Sequence, residues 1–200
     1  MLPSGVFVID VGGGTTDMAV VSQGCMNQME TLRIAGDHFD AEITKYLHDK
    51  YGILIGKRTA EEVKKNIACA VPREEDVAMQ VKGRDMVTGL PGVAEITGNE
   101  LYVCLKPLFE QLANSAIALF ERTSPQLMAD ITSDEVILTG GSSELYGLDK
   151  MFSQALNLDV TVAPRAELCV AKGAMVALNK MHVLDQYGYR FKTKQDVRIK

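Results

Sequence analysis

Apolar residues run almost without interruption through the first strand-like segment of the chain, at residues 6–11. Such a run is typical of a strand that is buried on both faces of a sheet. Two further strands are predicted over residues 18–22 and 30–35, with Gly24 turning the chain between them. The chain is therefore predicted to open as a β-meander, and not as a βαβ unit.

Helical spacing of apolar residues predicts two helices after the meander. The first begins at Gly36 and ends at Gly52. The second opens with a capping-box sequence, in which the Thr59 hydroxyl accepts the Glu62 amide, and it ends at Pro72. The apolar stripes of the two helices are Phe39, Ile43, Tyr46 and Leu47, and then Ala60, Val63, Ile67 and Ala70.

A pair of strands and a long helix are predicted next. The strands lie at residues 77–81 and 93–97, and Lys82-Gly83 is predicted to turn the chain after the first of them. Asn99 is predicted to cap the helix, in which Pro107 predicts a kink or a later start. Its apolar stripe is Leu101, Leu105, Leu108, Leu112, Ala116 and Leu119.

Towards the end of the chain, short predicted strands alternate with predicted helices. Strands are predicted at residues 136–138 and 160–162, and amphipathic helices at residues 148–156 and 168–178. Residues 186–200 differ in character, because they hold five basic residues and one acidic residue. We interpret this basic tail as a solvated, disordered segment, with contact to an anionic membrane surface as the alternative.

Composition excludes several classes of protein. Hydrophobic residues make up 46% of the 200 residues and charged residues 24%, as in an ordinary globular protein. The net charge of −5 argues against nucleic-acid binding by general charge attraction. No apolar stretch approaches the roughly 20 residues of a membrane span, and the first residues do not resemble a signal peptide. The four cysteines are predicted to be reduced and mostly buried thiols, without zinc.

The segment richest in candidate chemistry is the glycine hairpin Asp10-Val11-Gly12-Gly13-Gly14-Thr15-Thr16-Asp17. Glycine tolerates the positive φ that a tight turn can require, and it lets consecutive backbone amides approach an anion such as phosphate. The threonines add hydroxyl donors, and the Asp10 carboxylate suits a hydrated Mg²⁺ ion. Three glycines alone are better explained by a plain hairpin. The segment is neither a P-loop nor a dinucleotide fingerprint, since a strand follows it and no Gly-Lys-Ser/Thr is present.

A second glycine turn follows a buried strand at Leu138-Thr139-Gly140-Gly141-Ser142-Ser143. Backbone exposed at such a turn can lie flat against a base or a ribose. Alone, this segment is also explained by a simple connection between a strand and a helix. The two glycine turns together, with a helical region between them, favour a nucleotide site.

Taken together, these motifs resemble the MreB/Mbl family of bacterial actins, within the superfamily of actin and the heat-shock chaperone ATPases. The resemblance rests on the Asp10–Asp17 hairpin and on five later motifs. These are Gly36-Asp37-His38-Phe39-Asp40, residues 54–64, the Val81–Asp85 hairpin motif, Gly89-Leu90-Pro91, and the adenosine turn at residues 138–143. It extends from about Gly5 to about Leu178. Ser142 and Ser143 replace the usual glycine and alanine of the adenosine turn, a change that is expected to preserve it.

The resemblance implies an α/β, actin-like ATPase fold of the ribonuclease-H-like type. It implies that the chain forms one of the two domains of such a protein, the second. Residues 1–36 and 99–185 would form its larger subdomain, and residues 37–98 a smaller inserted one, followed by the tail at 186–200. The family's first domain, with its other phosphate loop and its water-positioning residue, is expected to be missing, because only four residues precede Gly5.

The resemblance also implies a site for ATP and Mg²⁺. Asp10 would be the catalytic residue and would hold Mg²⁺ through water. Gly12, Gly13, Gly14 and Thr15 would contact the β- and γ-phosphates, whereas Gly36, Glu61 and Lys64 would lie at the ribose and adenine. The complete nucleotide-binding set is Gly12, Gly13, Gly14, Thr15, Thr16, Gly36, Glu61, Glu62, Val63, Lys64, Gly140, Gly141, Ser142 and Ser143. Glu61 and Lys64 are also explained as an exposed helical pair.

The function that the resemblance implies is that of a cytoplasmic, cell-shape-determining filament protein that guides cell-wall synthesis, with membrane association left open. Its partners would be further copies, a full-length MreB-like subunit and the cell-wall elongation machinery. We expect weak nucleotide binding and poor hydrolysis, because half of the phosphate contacts would be absent. One alternative is a binding module that caps or regulates the filaments of a relative. Another is a sugar-kinase-like phosphotransferase of the same superfamily.

Overall fold

A computed structural model of the chain describes residues 5–22, 25–131, 136–186 and 188. The chain divides into two compact units after Glu167. The first unit contains two sheets and five α-helices among its described residues, and the second contains two short helices.

The larger sheet begins with the predicted meander. Strands β1 (Gly5–Val11), β2 (Thr16–Ser22) and β3 (Cys25–Leu32) pair in antiparallel fashion, which confirms that prediction. Strand β7 (Val136–Thr139) then adds to β1 in parallel, and β8 (Val160–Val162) adds to β7. The strand order is β3-β2-β1-β7-β8. Because β1 is central, the glycine hairpin that follows it comes next to the end of β7.

The third strand lies earlier in the chain than predicted, so the assignment of residues 30–35 is wrong at both ends. Strand β3 is an edge strand, and it exposes Cys25, Met26 and Met29. An edge strand that is open to solvent does not need the apolar pattern of a buried one, so its first residues carry no strand signal. The exposed Cys25 also contradicts the prediction of mostly buried thiols for that residue, although none of the four cysteines forms a disulfide bond.

The smaller sheet consists of β4 (Ile53–Leu54), β5 (Ala78–Asp85) and β6 (Pro91–Thr97), in the order β4-β5-β6. The predicted turn at Lys82-Gly83 is wrong, because both residues pair with β6 inside strand β5. A Cβ atom at Gly83 would lie 2.5 Å from Ile53 Cγ2, so this glycine allows β4 to approach β5 closely. The chain turns instead at residues 86–89, where Gly89 has a φ of 73°.

Five helices accompany the sheets of the first unit. They are α1 (Gly36–Tyr51), α2 (Lys57–Ile67), α3 (Gly98–Arg122), α4 (Pro125–Asp130) and α5 (Leu148–Leu156). Helix α1 ends at Gly52 as predicted, with that residue in the left-handed region at a φ of 63°. Helix α2 ends at Ile67, before the predicted stop at Pro72. The aromatic pairs Phe7–Phe120 and Phe39–Phe109 pack edge to face in the core between α1, α3 and β1.

The helix caps differ from those predicted. Helix α2 begins at Lys57 after Gly56 and has no side-chain cap, so the capping box assigned to Thr59 is wrong. The capping box of this fold lies at α3, where Thr97 accepts the Glu100 amide and Glu100 accepts the Thr97 amide. Asn99, the predicted cap of α3, instead bonds to the backbone of Arg73.

Helix α3 runs unbroken through Pro107, so the predicted later start is wrong. Leu101 and Leu105, in the turns before the proline, are fully buried. Their burial, together with the capping box, holds the first turns of α3 in place despite the backbone hydrogen bond that proline cannot make.

The second unit contains α6 (Cys169–Asn179) and α7 (Met181–Gln186). Helix α6 confirms the predicted helix over residues 168–178, but none of its residues is buried. The predicted tail at residues 186–200 lies outside the described residues, apart from Gln186 and Gly188. None of the helices found in the described parts of the chain is long and apolar enough to cross a membrane.

The smaller sheet and helix α2 fall within residues 37–98, and the larger sheet falls outside that range. The division into an inserted and a larger subdomain nevertheless stays a prediction.

Candidate functional site

The glycine hairpin between β1 and β2 is anchored through its carbonyl groups. The Gly12 carbonyl accepts the Gly36 amide at 3.2 Å, and the Gly13 carbonyl accepts the Asp37 amide at 2.8 Å. These are the first two amides of helix α1, which has no side-chain cap of its own at Ala35. The hairpin therefore caps α1 with backbone carbonyls, and α1 in turn fixes the orientation of the hairpin.

Anchoring these carbonyls also orients the amides that follow them. In a planar trans peptide the C=O and the next N–H point in opposite directions. With the Gly12 and Gly13 carbonyls held against α1, the Gly13 and Gly14 amides face away from it. Among the described residues, neither amide has a backbone acceptor. Two adjacent, outward-facing and unpaired amides are the arrangement that binds anions such as phosphate.

The space beside the α-carbons of Gly13 and Gly14 is open. A Cβ atom added at Gly13 or Gly14 would meet no atom of the described chain within 4 Å, and both glycines are exposed. The positive φ expected in this turn is not found, because none of Gly12, Gly13 and Gly14 lies in the left-handed region. Neither backbone conformation nor internal packing therefore requires glycine at positions 13 and 14.

Gly140, in the second turn, is glycine for a different reason. It has a φ of 89°, and a Cβ atom there would clash with the Asp10 carboxylate and the Val11 carbonyl. The Gly140 amide and the Thr139 hydroxyl both donate to the Ala166 carbonyl, at 3.2 and 3.0 Å. The Ser143 hydroxyl donates to the Gly140 carbonyl at 2.6 Å. These bonds hold the turn close against the end of β1.

Ser142 joins the two glycine turns directly. Its hydroxyl donates to the Gly12 carbonyl at 2.7 Å, across 130 positions of sequence. Gly36 lies beside this bond, since a Cβ atom at that position would be 2.6 Å from Ser142 Oγ and 3.1 Å from Lys64 Nζ. Residues from β1, α1, α2 and β7 thus converge at one place.

A cavity of about 420 Å³ opens where these segments meet. Six residues of the predicted nucleotide-binding set line it, namely Gly12, Gly13, Glu61, Lys64, Gly141 and Ser142. The other lining residues, none of which belongs to the predicted nucleotide-binding set, are Asp37, Phe39, Asp40, Lys65, Glu144 and Leu145. The first three belong to the motif Gly36–Asp40, which was available as a signal, whereas nothing in the local sequence marks Glu144 or Leu145.

Lys64 is a buried cation of the cavity wall. Its ammonium group lies 2.9 Å from the Asp40 carboxylate and donates to the Gly36 carbonyl at 3.0 Å. Burial raises the pKa of Asp40, and the bond to Lys64 opposes that rise only in part. The alternative of an exposed Glu61–Lys64 pair is wrong, because Lys64 is buried and Glu61 pairs with Lys65.

Several residues of the predicted nucleotide-binding set do not line the cavity. Thr16, Val63 and Ser143 are buried, and the Thr16 hydroxyl donates to the Ile34 carbonyl at 2.6 Å. Glu62 is exposed and pairs with Arg58 at 3.4 Å. Gly14 and Thr15 are exposed in the hairpin but do not line the cavity, and Gly36 is buried behind it.

Asp10 lies at the end of β1, directly opposite Asp17 of β2 and beside Thr139 of β7. Burial raises the pKa of Asp10, and the nearby Asp17 carboxylate raises it further. Within the described residues, Asp10 has no hydrogen-bond or ion-pair partner, whereas Asp17 accepts from the Thr15 and Thr31 hydroxyls. Asp10 is not among the residues that line the cavity, but its carboxylate lies against Gly140.

The charges that line the cavity do not favour a free polyanion. Four lining residues are acidic (Asp37, Asp40, Glu61 and Glu144) and two are basic (Lys64 and Lys65). Both lysines are paired, with Asp40 and Glu61. The side chains that line the cavity therefore offer no unpaired cation to a phosphate group.

A family model for MreB/Mbl proteins matches residues 1–186 of this sequence. The chain belongs to the MreB/Mbl family. It is 41% identical to the cell shape-determining protein Mbl of Bacillus subtilis over 182 residues, which cover 91% of this chain and 55% of that protein. It is 34% identical to the cell shape-determining protein MreB of Escherichia coli, over 92% of this chain and 52% of that protein.

Solved structures of an MreB relative share the fold. The crystal structures of MreB5 of Spiroplasma citri bound to ADP and to AMPPNP match this MreB/Mbl chain with a TM-score of 0.86 and 36% identity. The match to the ADP structure covers 92% of this chain and 56% of that one. The predicted actin-like α/β fold is confirmed. The chain spans about half the length of the relatives that it matches.

Proposed function

We propose that this chain forms part of the ATP site of an MreB-like protein that determines cell shape. It would supply residues that contact the phosphates and residues that contact the adenosine. Two kinds of observation support the proposal. Relatives at 34–41% identity are cell shape-determining proteins, and an MreB relative with the same fold binds ADP and AMPPNP. The family also favours this function over that of a sugar-kinase-like phosphotransferase.

The observation that carries the proposal is the pair of free amides at Gly13 and Gly14, set opposite the turn at Gly141 and Ser142. Gly12, Gly13, Gly141 and Ser142 line the same cavity, of about 420 Å³. A cavity of this size lies within the range of small-molecule sites. In the proposed complex the hairpin amides bind the β- and γ-phosphates, and the second turn lies against the adenosine.

The Asp10 carboxylate fits the role of holding Mg²⁺ through water. It is half-buried, has no partner among the described residues, and is held against Gly140. No group of three or more metal-ligating side chains exists among the described residues, which disfavours a cation held by protein ligands alone. Magnesium commonly keeps several waters and takes one or two carboxylates. When bound, the ion would neutralise phosphate charge beside the acidic residues that line the cavity.

Calorimetry with ATP tests this proposal, with Gly13→Ala and Gly14→Ala as the decisive variants. A methyl group at either position meets only open space in the described chain, so both variants should fold normally. That methyl group would, however, obstruct the amides, and losing a charge-assisted hydrogen bond weakens binding by about tenfold or more. Because the cavity is acidic, removing Mg²⁺ with EDTA should weaken ATP binding of the unmodified chain as well.

Gly56→Ala is the matched control for these variants. Gly56 is also exposed, has no positive φ, and would bring its Cβ atom within 4 Å of no described atom, but it does not line the cavity. It should leave the affinity for ATP unchanged. Equal affinity of Gly13→Ala, Gly14→Ala and the unmodified chain for Mg-ATP would overturn the assignment of the hairpin.

A further inference from the structure

We infer that the Ser142 hydroxyl positions the glycine hairpin for phosphate binding, by holding the Gly12 carbonyl so that the Gly13 amide faces the cavity. The inference rests on the proposed function of the cavity. It adds a residue that acts through the hairpin backbone, beside the first residue of helix α1.

The Gly12 carbonyl has two donors of unequal length. The Ser142 hydroxyl lies 2.7 Å away and the Gly36 amide 3.2 Å away, so the serine makes the shorter of the two bonds. A carbonyl oxygen has two lone pairs, and together these donors use both. Rotation of the peptide between Gly12 and Gly13 would break both bonds. Because that peptide is planar, the same two bonds fix the direction of the Gly13 N–H.

The serine is itself held firmly. It lies in the 3₁₀ turn Gly141–Glu144, in which the Ser143 amide donates to the Gly140 carbonyl and the Leu145 amide to the Ser142 carbonyl, both at 3.1 Å. The turn is tied to Ala166 through the Gly140 amide. Ser142 therefore transmits the position of β7 and its turn to the hairpin, and does not merely follow the hairpin.

The space that the hydroxyl occupies depends on Gly36. A Cβ atom at position 36 would lie 2.6 Å from Ser142 Oγ, although Gly36 does not have a positive φ. Contact with Ser142 and Lys64, and not backbone conformation, thus requires glycine here. A glycine at position 142, as in the resembled motif, would have no hydroxyl donor, so the short bond to Gly12 depends on the serine of this chain.

This role predicts an effect that depends on the phosphates of the ligand. If Ser142 orients the Gly13 amide, loss of its hydroxyl weakens the binding of ATP. The binding of adenosine stays nearly unchanged, because the hydroxyl is used on the Gly12 carbonyl and the backbone of the turn that lies against the adenosine is kept. If the serine only stabilises the fold around the cavity, both affinities fall by the same factor. The ratio of the two affinities therefore separates a positioning role from a structural one.

The experiment measures the affinity of the 200-residue chain for Mg-ATP and for adenosine by calorimetry, before and after Ser142→Ala. We expect the affinity for Mg-ATP to fall by about three- to tenfold, the usual contribution of one hydrogen bond. The affinity for adenosine should change less than about twofold by the same reasoning. Ser142→Gly should behave in the same way, because it removes the same donor.

Ser143→Ala serves as the matched control. Its hydroxyl also donates to a glycine carbonyl of the same turn, at 2.6 Å, but that carbonyl belongs to Gly140 and not to the hairpin. We expect this variant to lower both affinities by the same factor. A urea titration of each variant verifies that it is folded under the conditions of the assay.

The possible outcomes distinguish the inference from the function on which it rests. An unmodified chain that binds neither ligand overturns the proposed function, and the role of Ser142 with it. Binding by the unmodified chain, with an unchanged ratio of affinities in Ser142→Ala, overturns the role of Ser142 alone. A lower affinity for Mg-ATP with a nearly constant affinity for adenosine supports both.

Discussion

Glycines near the cavity have different physical reasons for being glycine. At Gly36 and Gly140 an added Cβ atom would collide with Ser142 or with the end of β1, so the fold itself requires glycine. At Gly13 and Gly14 the same atom would meet open space in the described chain, so the requirement is expected to come from a ligand. The local sequence around each glycine cannot separate these cases, because the collisions at Gly36 and Gly140 involve residues more than 100 positions away.

Asp10 is expected to combine a useful position with a cost to stability. Burial and the Asp17 carboxylate both raise the pKa of Asp10, so its ionised form destabilises the folded state in the absence of a cation. Asp10→Asn should therefore raise the free energy of unfolding at neutral pH, by roughly 0.5–2 kcal/mol, while it weakens the binding of Mg-ATP. Urea titration and calorimetry of the same two proteins measure both changes.

The pH dependence gives the sign of this effect. The folded pKa of Asp10 lies above the ordinary value of 3.8, so the unmodified protein regains stability as the pH falls through the raised pKa. The gain in the free energy of unfolding of Asp10→Asn over the unmodified protein should thus be largest at neutral pH and should vanish as the pH approaches 3.8. An advantage that is constant across this range, or a less stable variant at neutral pH, would show that Asp10 is not electrostatically unfavourable.

At the scale of elements, hydrophobic spacing located the longer helices and the buried strands, but it missed α4 and α7 and placed several helix ends wrongly. Thr59 and Glu62 have the spacing of a capping box, yet α2 begins two residues before Thr59, at Lys57. Thr97 and Glu100 form the capping box that the fold uses. Local sequence is nearly equivalent at the two places. The packing of α3, which buries Leu101 and Leu105, decides where its first turn lies.

The two threonines give a matched test of this assignment. Thr97→Ala removes the side-chain acceptor of the Glu100 amide, and loss of such a cap lowers the free energy of unfolding by about 1 kcal/mol. Thr59→Ala removes no cap bond, so its effect should stay within about 0.5 kcal/mol. Urea unfolding of both variants checks the prediction. A larger loss in Thr59→Ala than in Thr97→Ala would contradict the cap geometry.

Because local sequence does not reveal tertiary contacts, only part of the site could be predicted. The two glycine turns were found because their residue types carry specific chemistry, whereas Lys64 was found only through the resemblance to the MreB/Mbl family. The lining residues Glu144 and Leu145 could not be derived from local pattern, since tertiary contacts alone bring them to the cavity. The edge strand β3 was misplaced for a related reason, because exposure leaves it without an apolar pattern.

At the scale of the whole molecule, the turn between β5 and β6 is a candidate for a contact with another MreB-like subunit. It exposes Met86, Val87 and Leu90, and the Val87 side chain is 92% exposed. The turn is also well ordered, because the Asp85 side chain accepts the amides of Val87 and Thr88 at 2.9 and 2.7 Å. An ordered loop that presents apolar side chains to solvent is typical of an interaction surface.

We therefore expect the chain to associate with filaments of a full-length MreB through this turn, and Val87→Glu to abolish that association. A buried charge in a packed contact is strongly unfavourable, so binding should weaken by about tenfold or more. Val103→Glu is the matched control, since Val103 is also an exposed valine, at 68%, but lies on α3 and not in the turn. Co-sedimentation measures the bound chain. Electron microscopy of filament length separates capping from incorporation, because capping shortens filaments whereas incorporation does not.

If the unmodified chain stays in the supernatant, or if Val103→Glu fails to bind as completely as Val87→Glu, the turn is not the contact. If Val87→Glu alone fails, the apolar turn holds the chain to the filament, and the filament length then shows whether the chain acts as a subunit or as a cap.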